Sequence, residues 1–288
     1  MSIKITGTGS FIPKNIIKNN EFLNRNFFDK DGNSYPNSNQ EIIDKFQAIT
    51  GIRERRYADQ NHNTSDLATF AAENSIKSAN IDKETLDYII VAHNFGEIDA
   101  NSNNYIALPS LASLVKHKLG IENPNCVAYD LIFGCPGWIE GVIQSSAYIK
   151  SGMAKKCLVI GADTLSRTVD SNDRDSMIFA DGAGASIIEE SSENGGILSH
   201  KTVTHAGKEA LYLFADRSYN PESESKIKHI KMNGRKVYEF AISTIPEALK
   251  ECLEESGKKI EDVKKIFLHQ ANEKLDEAVL KYFYKLFD

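Results

Sequence analysis

Short runs of β-branched and aliphatic residues alternate with helical patterns along this chain, and no other feature constrains its fold as strongly. The run LDYIIVAH, residues 86–93, predicts a buried strand, and the helical pattern that follows it, from about residue 104, stops at Gly120. The predicted strands are 2–7, 86–93, 125–133, 156–161, 186–189, 196–205 and 265–269, and the predicted helices are 64–79, 104–119, 136–151, 237–256 and 272–287. We also expect a tight turn at residues 181–184. Strand, helix and strand at this spacing are typical of an α/β protein in which helices cover a parallel sheet.

The polar stretch 189–196 is the predicted boundary between two halves of the chain. Residues 1–190 and 191–288 then carry a similar succession of strands and helices, which indicates an ancient duplication. The sequence therefore predicts an N-terminal half over 1–190 and a C-terminal half over 191–288.

Bulk composition excludes several classes of protein. A hydrophobic content of 41% with 26% charged residues is that of an ordinary globular chain. The net charge of −6 argues against a nucleic-acid binder, which needs clustered lysine and arginine. No apolar stretch approaches the length of a membrane span. The four cysteines have no CxxC spacing or metal-ligand rhythm, so we expect free thiols, no metal, no cofactor and a cytoplasmic location.

One cysteine stands where a predicted strand meets a predicted helix. Cys135 follows the strand 125–133 and directly precedes Pro136, a residue suited to the first turn of a helix. Unpaired backbone N–H groups and the helix dipole favour a thiolate at such a position, and the flanking Gly134 and Gly137 leave room for a long thioester. Cys135 is thus a candidate nucleophile, and a small buried cysteine is the alternative at this point. The other three cysteines lie in or beside apolar patterns and are predicted to be structural.

A histidine ends another predicted strand. His269 closes the run KIFLH and would project from the carboxyl end of that strand, where open α/β sheets place their ligand sites. A structural histidine is the alternative. His93 also ends a strand and is the weaker competitor.

Six motifs in order along the chain resemble those of the type III ketoacyl-acyl carrier protein synthases. They are ITGTGSFIPKNIIKN, ITGIRERRYA, YDLIFGCPGW, CLVIGADTLSR, DSMIFADGAGA and FLHQAN. Within that family, HNFG and VKHKLGI look most similar to a subgroup linked to dialkylresorcinol formation. The resemblance covers essentially the whole chain and favours the functional interpretation of both Cys135 and His269.

The resemblance implies a thiolase-like α/β fold, with two related halves in layers α/β/α/β/α, and a homodimer. It implies an acyltransferase that carries out a decarboxylative Claisen condensation. Cys135 would accept an acyl group from a thioester, and its backbone N–H would form part of the oxyanion hole. His269 would hydrogen-bond the carbonyl oxygen of a second, malonyl-type thioester as that thioester loses carbon dioxide.

The resemblance also implies substrate-binding positions at Leu108, Gly234 and Lys274. Leu108 would line the acyl pocket of a partner subunit, and Lys274 would contact the acyl carrier protein. Many bacterial members carry a tryptophan and an arginine against coenzyme A where this chain has Lys45 and Ile49. We therefore expect thioesters of acyl carrier protein as partners, with acyl-coenzyme A possible.

The family carries a third catalytic residue, an asparagine, and a glycine-rich turn beyond the histidine, whereas this sequence stops nineteen residues after His269. We expect the C-terminal half to be incomplete. Two other functions stay open: a thioester hydrolase or acyltransferase without condensation, and a non-catalytic scaffold subunit.

Overall fold

The computed structural model describes residues 2–288, which form eleven strands and six α-helices. The strands are β1 (Ser2–Phe11), β2 (Asn15–Lys18), β3 (Glu54–Tyr57), β4 (Tyr88–His93), β5 (Glu97–Ile98), β6 (Tyr105–Ile106), β7 (Val127–Ile132), β8 (Lys156–Thr164), β9 (Asp181–Ser191), β10 (Leu213–Asp216) and β11 (His229–Met232). The helices are α1 (Asn39–Thr50), α2 (Thr64–Ala79), α3 (Leu111–Lys118), α4 (Gly137–Lys150), α5 (Gly234–Glu255) and α6 (Glu273–Tyr284). None of the helices formed by residues 2–288 combines the length and the apolar character that crossing a bilayer requires.

The chain forms two compact units, each assembled from several stretches. Of the described residues, the first comprises 2–15, 56–167 and 180–198, and the second comprises 16–55, 168–179 and 199–288. Compactness does not test common ancestry, so the division into related halves at residue 190 stays a prediction.

A five-stranded sheet organises the first unit, in the order β1-β9-β8-β4-β7. Strand β4 runs parallel to both β7 and β8, as the alternation of strands and helices predicts, whereas β9 runs antiparallel to β8 and β1. Strand β7 is therefore an edge of the sheet, and β4 has a parallel neighbour on each side. The carboxyl ends of β7, β4 and β8 meet along one rim of the sheet.

Helices cover both faces of this sheet. Successive side chains of a strand point to opposite faces, and β8 is apolar on both. Leu158 and Ile160 face a core shared with α2 and α3, while Cys157 and Val159 face a second core beneath α4. The first unit is therefore an α/β/α sandwich.

The second unit has its own apolar core, which includes Phe22, Ile43 and Met177, and a pair of packed helices, α5 and α6. Arg55, from the motif ITGIRERRYA, is buried beside this core. Its guanidinium donates to the carbonyl oxygens of Met177 and Ile17, at 3.0 and 3.1 Å, and to Asn19 Oδ1 at 2.7 Å. That arginine therefore ties three stretches of the unit together, which is a structural role.

A fully buried ion triad stabilises another part of the second unit. Lys231 Nζ lies 2.6 Å from Asp170 Oδ2 and 3.2 Å from Asp173 Oδ2. It also makes a cation–π contact with Tyr219, 3.3 Å from the ring centroid. The two carboxylates and the aromatic face compensate the desolvation of the ammonium group.

Helix α2 occurs at the predicted residues, and the helices predicted over 136–151, 237–256 and 272–287 occur with ends that differ by one to three residues. The helix predicted over 104–119 is wrong in its first half, because α3 begins only at Leu111. Ser110 Oγ accepts the N–H of Ser113 as the N-cap, and β6 pairs with β5 ahead of it. A serine cap after a proline is thus the local signal that ends the irregular segment.

Three predictions about the sheets are wrong. The turn predicted at 181–184 is the start of β9, because Gly182, Ala183 and Gly184 pair with β8. The segments 196–205 and 265–269 are not strands within the described part of the chain. A strand exists through hydrogen bonds to a neighbouring strand, so apolar alternation without a partner does not produce one.

Candidate active site

Cys135 lies in the turn between β7 and α4, as predicted. Gly134 has a φ of +71°, which favours glycine over residues that carry a Cβ. The N–H of Gly137 bonds to the carbonyl oxygen of Gly134 at 3.0 Å, and α4 begins there with Pro136 as its N-cap residue. The turn therefore presents the thiol at the start of a 14-residue helix.

A second glycine brings this helix against the sheet. A Cβ added at Gly137 would lie 2.8 Å from Cβ of Ala92 in β4, which is closer than two carbon atoms pack. Only a glycine allows the first turn of α4 to approach β4 to this distance. The close approach sets the position of Cys135 at the rim formed by β7, β4 and β8.

Cys135 is the only exposed thiol among the four cysteines of the chain, all of which lie in the described part. Cys126 and Cys157 are buried, and Cys252 is half-buried with its sulfur 3.4 Å from Ser199 Oγ. The structural interpretation of these three cysteines is consistent with their positions. Accessibility to a reagent or a substrate singles out Cys135.

Electrostatics at Cys135 differ from the sequence-based expectation. Its thiol is reachable by solvent, yet enough protein surrounds it for desolvation to raise its pKa, and the carboxylate of Asp163 raises that pKa further. The backbone N–H of Cys135 acts in the opposite direction. The helix start therefore does not by itself make Cys135 a thiolate, and the resting group is a thiol.

Asp163, in β8, is anchored by one residue of the neighbouring strand. The N–H of Asn94 donates to Asp163 Oδ1 at 3.0 Å, and Asn94 Nδ2 donates to Oδ2 at 2.6 Å. Burial raises the pKa of Asp163 above its usual value, and these two hydrogen bonds and nearby His93 offset only part of that rise. Sequence analysis did not find this pair; the signal was a carboxylate near the end of a buried parallel strand.

His93, the weaker candidate histidine, is buried beside an aspartate. Its Nε2 lies 3.1 Å from Asp130 Oδ2, but the geometry is not that of a hydrogen bond. Asp130 accepts the backbone N–H groups of Leu111 and Ala112 at the start of α3, at 2.8 and 2.7 Å. Burial raises the pKa of Asp130, but His93 and these N–H groups together hold it below its usual value. Asp130 thus ties the start of α3 to β7, and His93 lies beside that carboxylate.

His269 lies in the second unit, in the irregular segment before α6. Asn272 caps that helix by accepting the N–H of Leu275 at 2.9 Å. Desolvation lowers the pKa of His269, although the carboxylate of Asp276 opposes this. The imidazole is therefore neutral at pH 7, and one of its nitrogens carries a proton that can be donated in a hydrogen bond.

The predicted substrate-binding residues are distributed over both units. Leu108, in the first unit, is 83% exposed. In the second unit, Gly234 is the first residue of α5, and Lys274 lies in the first turn of α6. Lys274 Nζ donates to the carbonyl oxygen of Ala48 at the end of α1, at 2.7 Å. The amino group is therefore held in place while the residue stays at the surface.

Comparison with known proteins identifies the family. Residues 129–206, which include Cys135, match the sequence model of 3-oxoacyl-[acyl-carrier-protein (ACP)] synthase III. A β-ketoacyl-[acyl-carrier-protein] synthase III from Clostridium acetobutylicum is 37% identical over 284 residues, covering 97% of this chain and 80% of the relative. A relative of the same name from Fusobacterium nucleatum is 36% identical with the same coverage.

Solved structures agree with the sequence comparison. The 3-oxoacyl-[acyl-carrier-protein] synthase III of Aquifex aeolicus superposes with a TM-score of 0.79 at 31% identity, covering 98% of this chain and 81% of that one. The β-ketoacyl synthase III of Thermus thermophilus gives the same score and identity, covering 97% and 80%. The predicted thiolase-like α/β fold is therefore confirmed. The chain belongs to the 3-oxoacyl-[acyl-carrier-protein] synthase III family.

Proposed function

We propose that the protein catalyses a decarboxylative Claisen condensation between an acyl thioester and a malonyl-type thioester, with Cys135 as the acyl carrier. The observation that carries the proposal is the exposed Cys135 thiol at the start of α4, flanked by two glycines, in a chain of this family. A buried cysteine at this position would not reach a thioester.

In the first half-reaction, Cys135 Sγ attacks the thioester carbonyl carbon. The new carbon–sulfur bond forms as the bond to the carrier sulfur breaks, and the proton of the cysteine leaves with the carrier as a free thiol. The backbone N–H of Cys135 is proposed to donate to the oxyanion that develops. Gly134 and Gly137 leave the turn open to an approaching chain.

In the second half-reaction, the malonyl thioester loses carbon dioxide and becomes an enolate. Its α-carbon attacks the acyl carbon, the bond to Cys135 Sγ breaks, and the cysteine thiolate takes up a proton from solvent. His269 is proposed to donate a hydrogen bond to the enolate oxygen. Its lowered pKa supports this role, because a neutral imidazole stabilises the negative charge of the enolate by a hydrogen bond without giving up its proton.

The proposed partner is acyl carrier protein, which the names of the relatives include. Lys274 supports this proposal, because an anchored surface ammonium offers a fixed charge to an acidic partner. Leu108 and Gly234 stay proposed substrate contacts. The cytoplasmic location and the membership of the dialkylresorcinol subgroup are also proposals.

We also propose a homodimer in which β7 meets the β7 of a second copy. Strand β7 is an edge of the sheet, and Val127 and Ile132 on it are 46% and 69% exposed. Exposed apolar edge strands are covered in native proteins, and a two-fold axis would pair like with like. Sedimentation should give a dimer for the wild type and a monomer for Ile132→Lys; a monomeric wild type would contradict the proposal.

Intact-mass measurement tests the central proposal. Incubation with an acyl thioester should add one acyl mass to the wild type and none to Cys135→Ala, while the matched control Cys252→Ala should still be acylated. Later addition of malonyl thioester should remove that mass and release one carbon dioxide per product. Acyl loss without carbon dioxide would indicate a hydrolase, and no acylation of the wild type would indicate a scaffold.

A further inference from the structure

Three neighbouring strands of the first unit place the carboxylate of Asp163 near the turn between β7 and α4 that carries Cys135. Ala92 of β4 is level with Gly161 of β8, and His93 is level with Ile132 of β7. Continuing the pairing of β4 with β8 by two residues sets Asn94 opposite Asp163. Continuing the pairing of β4 with β7 by one residue sets Asn94 beside the residues that lead into Gly134. Asn94 therefore stands between the carboxylate of β8 and the turn that carries Cys135.

The contacts agree with this register. Both donors of Asn94, its backbone N–H and its Nδ2, are used by Asp163. The remaining amide oxygen, Oδ1, lies 3.8 Å from where a Cβ of Gly134 would be. Asp163 consequently fixes the orientation of Asn94, and the amide oxygen of Asn94 lies next to the turn at Gly134.

The charge of Asp163 acts on the thiol. A negative charge in a poorly solvated place disfavours a second negative charge nearby, and Asp163 raises the pKa of Cys135. The other titratable groups on the packed elements are Tyr88 and His93 on β4, Tyr129 and Asp130 on β7, Lys156 and Cys157 on β8, and Glu140, Tyr148 and Lys150 on α4.

We infer that the Asn94–Asp163 pair is a positioning and reactivity-setting device for Cys135, which keeps the exposed nucleophile as a thiol at rest. The thiolate is the form that alkylating and oxidising agents attack, so an accessible cysteine without this pair would be consumed by them. The inference rests on the proposed role of Cys135 as nucleophile. It adds that Asp163, without touching the acyl group, governs how much thiolate is present.

The negative charge of the Asp163 carboxylate determines the direction in which the pKa of Cys135 changes. Above the pKa of Asp163 its carboxylate repels a thiolate at Cys135. Asp163→Asn removes that repulsion, keeps the size of the side chain, and should move the alkylation profile of Cys135 to lower pH. Where Asp163 is ionised in the wild type, the rate of reaction with iodoacetamide at a given pH should therefore rise in Asp163→Asn, because a lower pKa of Cys135 increases the thiolate fraction.

The experiment compares pH profiles of Cys135 alkylation, read by peptide mass, in the wild type and four variants of the full chain. Asp163→Asn should show the downward shift, and Asp163→Glu, which keeps the charge, should restore most of the wild-type profile. Asn94→Ala should shift the profile in the same direction but less, because losing the Nδ2 donor raises the pKa of Asp163 and leaves it less charged, while the backbone N–H of residue 94 still donates to it. Asp99→Asn, which removes a charge between β5 and β6, should match the wild type.

An unshifted profile in folded Asp163→Asn, or an equal shift in Asp99→Asn, overturns the inference. If Asp163→Asn does not fold, Asn94→Ala decides, and an unshifted profile in it has the same consequence. Alkylation needs no condensing activity. A shift in a protein that forms no product would therefore refute the proposed function and leave this inference standing.

Discussion

Replacing Gly137 by alanine tests whether the close approach of α4 to β4 determines the nucleophile's position. A Cβ there would lie 2.8 Å from Cβ of Ala92, against the roughly 3.5–4.0 Å at which carbon atoms pack. The first turn of α4 must therefore move by about 1 Å. Overpacking of this kind costs about 1–3 kcal/mol, and the better helix propensity of alanine returns up to about 1 kcal/mol.

The effect on acylation should exceed the effect on stability. Cys135 is two residues ahead of Gly137, so the displacement of the turn is transmitted to Sγ. A misplacement of about 1 Å costs on the order of a hundredfold in rate. We expect single-turnover acylation, followed by intact mass, to fall by about tenfold to a hundredfold, with a free energy of unfolding lower by about 0–3 kcal/mol.

Two further variants complete the test. Gly184→Ala in β9 is the matched control, because no heavy atom lies within 4 Å of a Cβ added there, and it should acylate like the wild type. The double variant Gly137→Ala/Ala92→Gly removes the clash from the other side and should recover most of the lost rate. Normal acylation in Gly137→Ala, or no recovery in the double variant, would refute the reasoning.

Three other predictions concern the second half-reaction and the acyl donor. His269→Ala should spare acylation of Cys135 and slow condensation by about a hundredfold or more, since a preorganised donor to the enolate is lost; an equal loss in both half-reactions would mean that His269 serves the cysteine instead. Because burial lowers the pKa of His269, condensation by the wild type should persist as pH falls through 6.5 and decline only at lower pH, and a decline centred at or above 6.5 would contradict a neutral donor. Acyl groups on acyl carrier protein should be transferred faster than those on coenzyme A, because Lys45 and Ile49 stand where many relatives contact the nucleotide; equal rates at equal concentration would contradict this.

Local patterns determined helices α2, α4, α5 and α6 and the position of Cys135, but they did not predict α1 or the start of α3. Helix α2 begins and ends at the predicted residues because Asn63 and Asp66 form a capping box and Asn80 closes it in a left-handed conformation, all within the segment itself. The strand, the two glycines and the proline around Cys135 are also neighbours in sequence. Such signals act over a few residues, so the sequence alone carries them. The six motifs shared with the family indicated the type of reaction.

Tertiary structure decided what depends on residues far apart in sequence. Residues 181–184 have the composition of a turn, yet they are a strand because β8 lies beside them, while 265–269 have the pattern of a strand and no partner. The protonation state of Cys135 was decided in the same way. The helix start favours a thiolate locally, but desolvation and the charge of Asp163, which Asn94 holds from a neighbouring strand, raise the pKa of the thiol. Desolvation and charge act through space, and only the folded chain specifies which groups they reach.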